Sequence, residues 1–256
     1  MIVNGIVIFL ALAATLFLYS FALWFLLNKK ITLWKSVKLT CVSQAMNKLF
    51  LTGSGYAAVS AALKKDGLLL NESLPALAFF EFFFIVPWLI FGLYFGAAIA
   101  IRVPVFLVIV LIVILVFVIV KRNKVQGFLK DVWSYAKHAT ARLPVIMSLV
   151  IVNMMMAVIY YALLFRCFHV SIPLLEIFKI VSVAITVGYL SPAPAGLGFK
   201  EGGFIFLLLQ QGVLAHQACA IAITDRILLT GFYGVCGVLC VMPVVLALVR
   251  KKAAKS

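Results

Sequence analysis

Charge is what this chain has least of. Only 11% of its 256 residues are charged and seven are acidic, where a globular protein carries roughly a quarter charged residues. With 66% apolar residues and a mean hydropathy of +1.23, an ordinary soluble domain is excluded. Histidine is scarce too: His138, His169 and His216 are scattered and give no metal spacing. The cysteines at 41, 167, 219, 236 and 240 contain no CxxC, and Cys236 and Cys240 form an i, i+4 pair in an apolar stretch. Neither a disulfide framework nor a metal site is indicated, and small residues packed between helices are the simpler reading.

Several catalytic constellations are missing as well. An intramembrane serine protease needs a GxSG-type serine with a histidine partner, an aspartyl one needs two membrane aspartates, and a lipid phosphatase needs an Arg, Ser and His set. The glycine-rich run near Gly196 completes no GxGxxG and is not a P-loop. The expectation is a protein that is not an enzyme and uses no cofactor.

What is present is a series of long apolar runs. Full-length spans are expected at 3–27, 74–101, 103–120, 144–165 and 227–249, in one integral membrane domain over 1–256. The formal net charge of +15 does not point to nucleic acid, because most of the basic residues cluster at 29–65, 121–142 and 250–255, between or after the spans. Five crossings place the N-terminus outside and the C-terminus in the cytoplasm, with every basic cluster inside. The N-terminal run lacks a basic n-region, is too long for a signal-peptide core and is followed by Lys29 and Lys30, so it reads as a retained helix. The 121–142 linker, with Trp133 and Tyr135 among lysines, reads as an interfacial amphipathic helix.

Two segments do not fit as spans. In 31–63, apolar pieces at 39–51 and 56–63 flank Gly53, Ser54 and Gly55; in 174–213, pieces at 180–190 and 204–213 flank a stretch with Pro192, Pro194, Gly196 and Gly198. Each piece is about 12–20 Å of helix and cannot cross alone. Two re-entrant helical hairpins entering from opposite faces are the pattern expected of inverted repeats with a site near the midplane. The alternative is that one of them is a tilted, kinked span.

Ionisable residues at membrane depth need a partner, a cavity or an interface. Glu81 reads most simply as a helix-end carboxylate near the cytoplasmic surface, and Glu176 and Lys179 as an i, i+3 pair. The strongest local signal is the run from Gly196 to Gly203, where Lys200 and Glu201 open a short helix. Free backbone N–H groups, glycines and a lysine together make an anion site, and lipid phosphate is the anion a membrane protein most often meets. The alternative pairs Lys200 with Glu201 or lets it snorkel outward. Asp225 and Arg226 are expected at the outer end of the last span. Gln44, Asn47 and Lys48 share one face of the first hairpin, where they could face the second break.

These residues carry a resemblance. Tyr189 to Pro192 with Gly196, Leu197, Gly198, Phe199, Lys200, Glu201 and Gly202 is similar to the S-P-G-G-L-G-x-R-E signature of the lysylphosphatidylglycerol synthase transmembrane, or flippase-domain, family. Arg226 matches an arginine some 25 residues later in that family. The run from Gln44 to Phe50, with Gly53 and Gly55, resembles its N-x-L-x-P-x-x-x-G-E region. The chain departs from the pattern with Lys200 for arginine, no proline near Thr52 and no glutamate after the first glycines, and it shows one opening span fewer. The resemblance implies a lipid flippase-like domain without the aminoacyl transferase, in a prokaryotic plasma membrane, handling an anionic or aminoacylated phospholipid or a lipid-linked intermediate. Lys200, Arg226, Glu201, Gly196, Gly198, Asn47 and Lys48 are the candidate headgroup-binding residues. A non-transporting partner of a separate glycosyl- or aminoacyl-transferase and a small-solute transporter stay open beside it.

Overall fold

A computed structural model describes residues 2–27, 30–49, 54–65, 70–99, 139–191 and 193–253, with a few helical positions between 127 and 137. Among the described residues every regular element is helical and no strand occurs. In order these are α1 (Ile2–Leu26), α2 (Leu33–Leu49), α3 (Ser54–Lys65), α4 (Leu70–Ile99), α5 (Leu143–Cys167), α6 (Leu174–Leu190), a 3₁₀ turn (Pro194–Gly196), α7 (Phe199–Gln210) and α8 (Ala215–Ala253). Four helical stretches, Gly5–Leu26, Pro75–Gly96, Thr140–Cys167 and Ala215–Met242, are long and apolar enough to cross a membrane. The expected span at 103–120 and most of the 121–142 linker lie outside the described residues; Trp133, in a helical piece of that linker, is exposed.

Each segment that failed as a span holds two helices that pack on each other. α2 packs along α3, and α6 along α7. Their arms are longer than the apolar pieces alone indicate, because polar residues such as Lys35, Lys38 and Glu176 continue the helices. α5 and α7 stop in the same way: a residue with positive φ, His169 (58°) or Gly212 (78°), lets the next N–H reach back to Phe165 or Leu208. This left-handed turn satisfies carbonyls that the helix end leaves open.

The last helix corrects an expectation. α8 begins at Ala215, so Asp225 and Arg226 lie well inside a continuous helix instead of at the outer end of a span starting at 227. They do not break it because both side chains find partners on other elements, as described below.

The elements pack in matching sets. α1 and α5 are each 25 residues long and lie against each other; α2 and α6 are each 17; α3 and α7 are each 12. α4 packs on α6, while α8 packs on α2. Each of those crossings has a glycine where the neighbouring helix comes close. A Cβ on Gly92 of α4 would collide with Ser182 and Thr186 of α6, and one on Gly237 of α8 would collide with Ala45 of α2. Small residues here let backbones approach, which is how helices associate where lipid removes the hydrophobic drive. Thr186 uses the approach to donate a hydrogen bond to the Trp88 carbonyl at 2.9 Å.

Candidate functional site

The second break is held in shape by its backbone. Ala195, Gly196 and Gly198 all have positive φ (53°, 66° and 82°), and a Cβ on Gly196 would strike the Gly188 carbonyl. Only glycine fits there, where the turn passes over α6. Glu201, in the first turn of α7, reaches back so that its Oε2 accepts the Gly198 N–H at 2.8 Å. A carboxylate from the chain itself therefore sits on the helix start, favourable for both hydrogen bonding and the helix dipole.

Lys200 and Glu201 do not pair with each other. Neighbours in a helix point about 100° apart, and here each finds a different residue of α8. Lys200 Nζ donates to Asp225 Oδ2 at 2.8 Å and to the Tyr161 hydroxyl at 3.1 Å. Arg226 donates to Glu201 Oε1 at 3.3 Å and to the Ala195 carbonyl at 3.2 Å. Tyr160 donates to the other oxygen of Asp225 at 3.0 Å. Asp225 is only 4% exposed and Lys200 sits 5.7 Å from the Tyr161 and Phe204 ring centres, so this pair is deep in the bundle. Glu176 and Lys179 form the expected local pair at 2.6 Å.

The first break is built differently. Asn47 Oδ1 accepts the Gly55 N–H at 3.0 Å, and the Ser54 hydroxyl donates to the Met46 carbonyl at 3.1 Å, tying the start of α3 back onto α2. Lys48, one residue on, makes no hydrogen bond or ion pair among the described residues, yet lies within electrostatic reach of Lys200, Asp225, Arg226 and Glu201. That cluster holds three cations and two carboxylates, and Lys48 is the unmatched member.

The end of α2 and the second break border one cavity of about 230 Å³, to which each of α1–α8 except α3 contributes. Gln44, Asn47 and Lys48 line it from α2, Ala195 and Lys200 from the second hairpin, and Glu81, Phe84 and Trp88 from α4. Glu81 is thus in the cavity and not at a helix end: α4 starts at Leu70, which carries Glu81 about three turns into the helix. Its Oε1 is buried with no hydrogen-bond partner among the described residues. Of the sequence-derived candidates, Asn47, Lys48 and Lys200 line the cavity directly; Gly196, Gly198, Glu201 and Arg226 build the turn beside it.

Sequence reasoning missed the roles of Tyr160, Tyr161 and Asp225. Two adjacent tyrosines in an apolar helix were a usable signal, since a buried phenol needs a hydrogen-bond partner. Glu81 also had one: Glu81, Phe84 and Trp88 recur at helical spacing on one face.

A protein-family model described as the lysylphosphatidylglycerol synthase TM region matches residues 3–237. No curated protein matches the chain, and no solved structure matches it.

Proposed function

The chain belongs to the lysylphosphatidylglycerol synthase TM family, and from that premise we propose that it is a lipid translocator whose two re-entrant hairpins meet at a headgroup-binding cavity. The observation that carries this reading is the cavity itself, set among long apolar helices and lined by polar side chains from the end of α2 and from the second hairpin break. A headgroup would enter it while the acyl chains stay in the bilayer. The residues around it bind and orient; no chemical step on the lipid is assigned to them.

The reading includes an inverted repeat of α1–α4 and α5–α8. It is supported by the equal lengths of the first three helices in each half, the reciprocal packing of α4 on α6 and α8 on α2, and the paired glycines Gly92 and Gly237. Equivalent positions also recur in the cavity wall: Tyr19 with Tyr160, Lys48 with Tyr189, Trp88 with Tyr233. Repeats related in this way rock against each other around a site near the membrane midplane. The reading puts the N-terminus outside, the C-terminus in the cytoplasm and the lysine-rich loops inside, in a prokaryotic plasma membrane.

The test is translocation in proteoliposomes of phosphatidylglycerol, its lysyl form and a polyprenyl-phosphate probe, by the intact chain and by Lys48→Gln. Movement of at least one probe, abolished in a folded Lys48→Gln, is the expected result. A folded protein that moves none overturns the reading in favour of a non-transporting partner of a separate transferase.

A further inference from the structure

The cavity is lined by two ionisable side chains that the protein leaves without an ion-pair partner among the described residues, one a potential cation and the other a potential anion. Lys48 is the surplus cation of the cluster formed with Lys200, Asp225, Arg226 and Glu201. Glu81 has a buried oxygen without a hydrogen bond, and no charged side chain among the described residues acts on it. Both line one chamber, each lacking a counter-charge among the described residues. An ionisable side chain in a low-dielectric interior costs heavily unless something pairs with it. A simple anion would satisfy Lys48 and leave Glu81 alone; a simple cation would do the reverse.

The wall beside Glu81 is aromatic. Phe84 stands one turn along the same helix, and the Tyr19 ring lies 4.7 Å from it. A carboxylate in a chamber that aromatic rings also line is a fitting environment for an ammonium group. The chamber is small, about 230 Å³, below the roughly 300–1,000 Å³ of sites for drug-sized ligands. It suits a headgroup and excludes a whole lipid.

We propose that Glu81 is the specificity-determining residue of this site: its carboxylate takes the ammonium of a zwitterionic, amine-bearing phospholipid headgroup whose phosphate is held at Lys48. This rests on the translocator reading for the lipid but not on movement, because it concerns binding alone. Glu81 selects an amine-bearing headgroup over a purely anionic one, while Lys48 serves any phosphate.

The experiment is equilibrium binding to the full chain in detergent, with short-chain phosphatidylethanolamine, short-chain phosphatidylglycerol and free phosphoethanolamine as the three probes. The intact chain is expected to bind phosphatidylethanolamine at least tenfold more tightly than phosphatidylglycerol, and more tightly than free phosphoethanolamine. Glu81→Gln, of the same size, is expected to remove that preference by weakening phosphatidylethanolamine alone, and Glu81→Asp to keep part of it. Monodisperse elution and an unchanged unfolding temperature verify that each variant is folded. Equal binding of the two lipids by the intact chain, a Glu81→Gln that affects both alike or neither, or free phosphoethanolamine binding as well as the lipid overturns the proposal. Selective binding without translocation would retain this inference and refute the transport reading, so the two fail separately.

Discussion

The two halves of this molecule share a framework and differ in what they do with charge. In the second half, Lys200 with Asp225 and Arg226 with Glu201 consume one another, helped by Tyr160, Tyr161 and the Ala195 carbonyl. In the first half, Lys48 and Glu81 face the same cavity with no ion-pair partner among the described residues. The family signature is on the saturated side. Its glycines and charges therefore read as the brace of the second hairpin, and the groups left available to a ligand come from the half with the weaker motif.

The largest effect should come from breaking the saturated side. Asp225→Ala strands Lys200 in the interior, and loss of one partner of a buried pair costs about 3–5 kcal/mol. A clearly lowered unfolding temperature in detergent is expected. Replacing both members together, Lys200→Met with Asp225→Leu, should recover most of it, since an apolar pair of similar volume is often neutral. If the double variant is as unstable as the single one, the pair is doing something other than satisfying itself.

The framework shared by the halves has its own test. Gly92→Val and Gly237→Val each force a side chain into a helix crossing, where overpacking costs about 1–3 kcal/mol. Equivalent crossings predict losses of similar size at the two positions, read again by thermal unfolding. A large loss at one and none at the other would break the equivalence of α4 on α6 with α8 on α2.

The smallest expected effect is at the first break. Asn47→Ala removes the acceptor that holds the Gly55 N–H, a cap worth about 1 kcal/mol. Amide hydrogen exchange at the start of α3 should rise while the α6–α7 hairpin stays protected.

Much of the architecture was legible because it depends on local rules. Runs of apolar residues mark the four long helices, and Pro192, Pro194 and the glycines mark the second break. Pairing across helices was not legible in the same way. Lys200 and Glu201 are adjacent in sequence and look like partners, yet helical geometry turns them apart toward Asp225 and Arg226, 25 residues later. The same cross-pairing hid the true length of α8, because two charges in a row resemble a membrane boundary until their partners are known. Glu81 was misplaced for a related reason. Its depth depends on where α4 begins, and the polar first turn before Pro75 extends the helix beyond the apolar run.

The most direct test of the central contrast compares Lys48→Gln with Lys200→Gln in parallel, measuring unfolding temperature and lipid headgroup binding on the same preparations. Lys48→Gln should keep the unfolding temperature and lose at least tenfold in binding, whereas Lys200→Gln should lower the unfolding temperature by leaving Asp225 without its cation. A Lys48→Gln that unfolds early but binds normally when folded would contradict the account, as would a Lys200→Gln that is as stable as the intact chain.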